Sequence, residues 1–197
     1  MIVSDEIHAE LVYMPNRHIP IAMVGADVAA RTVTINSPTK CFNIPGLRAA
    51  VMHFGSAALK QRFYEALPRK VLGQVSGPSM DAAVAAWRDS DAWMAEVAAY
   101  LRSNRDHLTA RLRAELPETR FHVPESTYLA WLDFSAYRLN VPPAEFFLKQ
   151  ARVALSGGDD FDAEAGAPFA RLNFGTSRIL LDQIIDRMVA AIRSHSS

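Results

Sequence analysis

Hydrophobic and polar positions alternate differently in the two halves of this chain. It opens on a strand, with β-branched Ile2 and Val3 leading into Ser4 and Asp5. Adjacent apolar residues of this kind are expected in a central parallel strand, buried on both faces. Two more strands are predicted at 32–36 (TVTIN) and 49–54 (AAVMHF), with helical or irregular segments around them. The first third therefore reads as α/β with parallel character. Residues 56–67 read as a short helix stopped by Pro68. Met80, Ala83, Val84 and Trp87 then fall at i, i+3, i+4 and i+7, and the pattern resumes at Trp93, Val97, Tyr100, Leu101, Leu108 and Leu112. That predicts one long or kinked helix over about 80–115, ended by Pro117.

From Phe121 the texture changes to α+β. The runs FHV (121–123) and LAWLDF (129–134) predict antiparallel strands, and 142–154 a helix opened by Pro142-Pro143. FARLNF (169–174) predicts another strand, with Phe169, Arg171 and Asn173 on one face and Ala170, Leu172 and Phe174 on the other. Leu181, Ile184, Ile185, Met188, Val189 and Ile192 give a terminal amphipathic helix. The expected division is 1–95 for a first domain and 96–197 for the connecting helix with a smaller α+β domain.

Composition narrows the classes of function. Half of the 197 residues are hydrophobic, enough for one sizeable core or two small ones. Lys plus Arg equals Asp plus Glu at 21 each, so no net field draws the chain to nucleic acid or a membrane surface. No apolar run reaches transmembrane length, and the start lacks a secretory pattern. A single cysteine, Cys41, excludes an intramolecular disulfide and fits a reducing, cytoplasmic setting. With no catalytic partner assigned to it, Cys41 reads as a small packed side chain. The acidic stretch GGDDFDAEAG (157–166) fails as a calcium loop. Counted from Asp160, the required glycine is Ala165 and the final carboxylate is Arg171, which leaves a mobile acidic loop near a pocket as the expectation and no metal site.

Four residues carry candidate chemistry: Asp5, Lys40, Arg48 and Arg171. Asp5 closes the first strand and Lys40 follows the second, so in a parallel sheet both lie at the carboxyl edge, where α/β folds bind ligands. An ordinary lysine, with a pKa of about 10.4, is only ~0.04% neutral at pH 7. A nucleophilic role needs desolvation or a nearby cation, and Arg48 is eight residues on. Ser37 and Thr39 add hydroxyls to the same loop, which suits a phosphate-bearing cofactor.

The ordered motifs SDEIHAEL, SPTKCFNIPGLR and FARLNFGTSR resemble the fold type I pyridoxal-phosphate enzymes of the aspartate aminotransferase superfamily. The wording DEIHAEL with KCFNIPGL is most similar to the cystathionine β-lyase-like carbon–sulfur lyase branch. The resemblance implies the C-terminal half of such an enzyme: part of the parallel or mixed sheet of the large cofactor-binding domain, then a small α+β domain. It implies pyridoxal 5'-phosphate as cofactor and Lys40 as its covalent anchor. Asp5 matches the partner of the pyridinium nitrogen, and His8 a position near the phenolic oxygen. Ser37 and Arg48 match phosphate-contacting positions, and Arg171 the arginine that grips the substrate α-carboxylate.

The implied activity is β-elimination on cystathionine or cysteine S-conjugates, giving thiol, pyruvate and ammonia. Class I/II transamination uses the same residues and remains the alternative. The implied assembly is a homodimer acting on an amino acid. Family members carry a long portion before SDEIH, with further phosphate and ring contacts, so a catalytically incompetent or partner-stabilised module is a third reading.

Overall fold

The first strand stays extended because Ile2–Asp5 (β1) finds a neighbour 30 residues on. It pairs in parallel with Thr32–Asn36 (β2), in the register Ile2 to Thr32 through Asp5 to Ile35. The computed structural model describes residues 1–68 and 70–195, which divide into two units, Met1–Ala98 and Ala99–Ser197. In the first unit a short helix, Ala26–Ala30 (α1), makes the crossover into β2. Val51–Phe54 (β3) then adds to the other side of β2, antiparallel, so the three-stranded sheet is mixed in the order β1-β2-β3. Gly55 ends β3 where an added Cβ would run into the Ala29 and Thr32 carbonyls, so only glycine allows so close an approach there.

Two expectations fail in this sheet. The predicted third strand starts at Val51 and not at Ala49, because Ala49 lends its carbonyl to the loop that carries Lys40. Val3 is 59% exposed and not buried on both faces. β1 is an edge strand with a sheet neighbour on one side only, and no described element covers the Val3 face.

Helices Ala57–Ala66 (α2) and Gly77–Asp89 (α3) begin at Ser56 and Ser76, whose hydroxyls accept from Leu59 N and Ser79 N as N-caps. The expected long helix is two helices, because Ser90 interrupts it between α3 and Asp91–Glu115 (α4). The Ser90 hydroxyl donates back to the Ala85 carbonyl at 3.2 Å, a local bond that competes with the helical ladder.

The second unit holds a three-stranded antiparallel sheet in the order β4-β6-β5: Leu129–Asp133 (β4), Ser156–Gly157 (β5) and Phe169–Asn173 (β6). Helices Pro143–Ala151 (α5) and Arg178–His195 (α6) complete it. The alternation predicted for β6 holds: Ala170, Leu172 and Phe174 are buried, while Arg171 is half-buried and Asn173 exposed. FHV is not a strand, because pairing to Asp133 stops at a single bridge from Arg120. The two-residue β5 is too short to give a periodic signal in the sequence. No helix among the described residues is long and apolar enough to cross a membrane.

One buried polar residue fixes the turn after β6. Asn104 of α4 is fully buried and donates from Nδ2 to the carbonyls of Phe174 (3.1 Å) and Thr176 (2.7 Å), while its Oδ1 accepts from Arg178 Nε (3.1 Å). Replacing it leaves two carbonyls without their donor in a site closed to bulk water. Asn104→Ala is expected to destabilise the protein by about 2–3 kcal/mol, read from the urea midpoint at unchanged slope.

Candidate functional site

Parallel pairing of β1 and β2 sends both chains out at one edge of the sheet. Asp5 stands opposite Ile35, so the turn after Asp5 and the loop after Asn36 leave side by side. Asp5 is exposed, and its Oδ1 accepts from Ile7 N (3.1 Å), which folds the chain back toward half-buried His8. Glu6, the next residue, is buried, and burial alone would raise its pKa. The combined bonds from His18, Ser4 and Ile21 N outweigh that and hold its carboxyl below the usual range.

The Lys40 loop is braced from inside. Ser37 is buried and donates its one proton to the Ala49 carbonyl at 2.5 Å. With that proton committed, the 2.8 Å contact between the Ser37 and Thr39 hydroxyls has Thr39 as donor, and Thr39 N also donates to Ser37 Oγ (3.2 Å). The turn closes through Phe42 N to Pro38 O and Ile44 N to Thr39 O. Lys40 projects from it exposed, and no hydrogen bond or ion pair engages its amine among the described residues.

Arg48 follows a 3-10 turn (Pro45–Leu47) and sits in the left-handed region at φ 48°, ψ 42°. A non-glycine residue held there costs about 1–2 kcal/mol. Two bonds maintain it: Ser37 to Ala49 on one side, and the buried Ser79 hydroxyl of α3 donating to Leu47 O (2.7 Å) on the other. Asp5, His8, Ser37, Lys40 and Arg48 thus gather around one sheet edge. Arg171 belongs to the second unit. It lies on β6 opposite Trp131 and Ser156, its Nη2 donates to Ser156 Oγ (3.2 Å), and its guanidinium carbon lies 4.6 Å from the Phe161 ring centroid.

Sequence reasoning missed Glu10. Its carboxylate accepts from Trp87 Nε1 (3.0 Å) and Asn36 Nδ2 (3.4 Å), and the Cys41 sulfur lies 3.0 Å from its second oxygen. Glu10 therefore ties α3 to both ends of the Lys40 loop. No local spacing links it to a tryptophan 77 positions away. Cys41 is the packed side chain expected, 2% exposed.

The surface is chemically suited to a phosphorylated pyridine aldehyde. It offers an amine without a protein partner, a carboxylate at the strand end and an exposed guanidinium on a fixed backbone. Ser37 differs from expectation in detail, since its proton is already spent inside the loop.

The profile of the family described as "Aminotransferase class I and II" matches residues 1–188. The chain belongs to that family. Cystathionine beta-lyase PatB of Bacillus subtilis is 34% identical over 192 residues, spanning 97% of this chain and 49% of that protein. Protein MalY of Escherichia coli is 30% identical over 195 residues, spanning 98% and 49%. Among solved structures, the PLP-bound C-S lyase from Staphylococcus hominis superposes with a TM-score of 0.86 at 28% identity, over 96% of this chain and 49% of that one. The fold is that of a fold type I pyridoxal-phosphate enzyme, and the chain spans about half the length of the curated relatives it matches.

Burial first, then the neighbouring Glu10 carboxylate, push the Cys41 thiol up to about 12. The unfolded chain releases that proton near its ordinary value of 9.0, so this contribution to stability is complete below pH 9 and falls as pH rises from there toward 12. At pH 8, iodoacetamide is expected to alkylate Cys41 in the folded chain more than about a hundredfold slower than in urea, read by mass spectrometry.

Proposed function

We propose that this chain carries the cofactor-anchoring and substrate-binding residues of a pyridoxal-phosphate-dependent carbon–sulfur β-lyase. The observation that carries the reading is the parallel β1–β2 register, which brings Asp5 and the Lys40 loop to one edge. Cystathionine β-lyases at 30–34% identity support the choice of branch. When bound, the cofactor supplies the electron sink that makes the substrate α-carbon acidic.

The chain's own residues do the rest. Lys40 Nζ would hold the cofactor aldehyde and, as a free amine, would take the proton from the substrate α-carbon. Only an amine in its neutral form can accept that proton. Asp5 would keep a proton on the ring nitrogen by accepting its N–H as a carboxylate. Arg48 would neutralise phosphate charge, and His8 would serve the phenolic oxygen. Ser37 acts on the phosphate through the loop it braces. Arg171, on the second unit, binds the substrate α-carboxylate. The β-substituent would leave as a thiolate and take up a proton, and one water would hydrolyse the remaining three-carbon fragment to pyruvate and ammonia.

Transamination by the same residues is the second reading, favoured by the family's class I and II aminotransferase membership. A homodimer in the cytoplasm, acting on a free amino acid, is the setting we assign.

Added pyridoxal phosphate is expected to give the visible absorbance of a lysine-bound cofactor, and Lys40→Ala to abolish it. Arg48→Ala is expected to weaken cofactor binding about tenfold or more, in keeping with a charge-assisted phosphate contact. Thiol and pyruvate appearing together from L-cystathionine support the lyase. Amino transfer to a keto acid without thiol release supports the aminotransferase. A spectrum unchanged by Lys40→Ala overturns the proposal.

A further inference from the structure

Arg171 is a half-buried cation without an anion. Among the described residues no carboxylate lies within ion-pair distance of it, although Asp159, Asp160, Asp162 and Glu164 crowd the loop beside it. Its contacts are instead neutral: the Ser156 hydroxyl at 3.2 Å and the Phe161 ring at 4.6 Å. An aromatic face attracts a guanidinium without cancelling its charge, and a hydroxyl oxygen behaves in the same way. A carboxylate in either place would occupy the planar fork that a ligand carboxylate needs. Nε and Nη1 have no acceptor among the described residues.

The loop that carries Phe161 is closed by its own hydrogen bonds. Gly158 O accepts from both Phe161 N and Asp162 N at 3.0 Å, Gly166 N donates to Asp162 O, and Phe169 N to Gly166 O. Asp162 turns its carboxylate onto its own backbone, accepting from Glu164 N (3.0 Å) and Ala165 N (2.9 Å). Those bonds lower its pKa and keep it from Arg171. Gly158 and Gly166 approach so closely that a Cβ on either would strike the other's carbonyl. Phe161 meets Trp131 edge-on (5.3 Å, 89°), and Trp131 stacks on Phe169 (5.6 Å, 17°). The ring remains 52% exposed, so burial in a core does not account for its placement.

We propose that Phe161 is a positioning residue for the α-carboxylate of an amino-acid substrate, acting through Arg171. It orients the guanidinium while leaving its charge uncompensated for the ligand. This rests on the reading of Arg171 as the carboxylate-binding residue. The GGDDFDAEAG segment, expected from sequence to be an acidic loop near a pocket, then serves to carry one aromatic ring.

The test uses the 197-residue chain with ¹⁵N-labelled arginine, the Arg171 Nε–H signal being assigned by its loss in Arg171→Lys. L-Alanine is expected to shift that signal saturably, and L-alaninamide, which lacks the carboxylate, to leave it in place. Phe161→Leu is expected to weaken the L-alanine response about fivefold, and Phe161→Tyr, which keeps an aromatic face, to stay within about twofold of wild type. Equal affinity in wild type and Phe161→Leu overturns the role of Phe161 while leaving Arg171 as the carboxylate site. A loss in Phe161→Tyr as large as in Phe161→Leu also overturns it, since the ring face is then not what matters. No saturable shift in wild type overturns the carboxylate site and this inference together.

Discussion

Parallel pairing of β1 with β2 is the constraint on which the rest of the first unit depends. In an antiparallel pair, Asp5 and the residues after Asn36 would leave opposite ends of the sheet. The observed register, Asp5 against Ile35, makes their loops neighbours instead. Three polar side chains then hold those loops in place. Ser37 ties the Lys40 loop to Ala49, Ser79 ties the Arg48 turn to α3, and Glu10 joins α3 to both ends of the Lys40 loop. Each gives its hydrogen-bonding capacity to the protein. Lys40 and Arg48, by contrast, are long, charged and exposed. The division of labour is physical: buried polar groups must find partners within the fold, and the groups left over are available to a ligand.

The second unit handles its cation by another route. Arg171 sits where β-sheet alternation puts its side chain away from the buried Ala170, Leu172 and Phe174 face, and it is steadied by an aromatic ring and a hydroxyl. Another arginine of the same unit is compensated by carboxylates. Arg111 bonds Glu115, Asp182 and Asp186 and is thereby committed to joining α4 to α6. Two half-buried arginines in one unit, Arg111 and Arg171, thus differ in whether the fold supplies a carboxylate partner among the described residues: Arg111 has three and Arg171 none.

Much of this was legible from residue order. Strand alternation in FARLNF put Arg171 on the correct face, and the β-branched runs located β1 and β2 with their carboxyl ends at Asp5 and Asn36. What escaped the sequence depended on contacts between distant positions. The exposure of Val3 reflects a sheet face that no element among the described residues covers, which no local pattern encodes. The break at Ser90 turns on one hydroxyl reaching back to Ala85 through an otherwise helical run. The commitment of Ser37 to Ala49 and the reach of Glu10 to Trp87 join residues 12 and 77 positions apart. Ser37 was legible as a loop hydroxyl, but not as one whose proton is already taken.

The central claim, that the edge formed by β1 and β2 presents Lys40 as the cofactor's anchor, has a direct covalent readout. The chain has four lysines: Lys40, Lys60, Lys70 and Lys149. Borohydride reduction after incubation with stoichiometric pyridoxal phosphate, followed by peptide mass mapping, records which of them held it. One pyridoxyl group per chain, on the peptide containing Lys40, is the expected result. A label spread over the other lysines in proportion to their exposure, or a Lys40 peptide recovered unmodified, would contradict it.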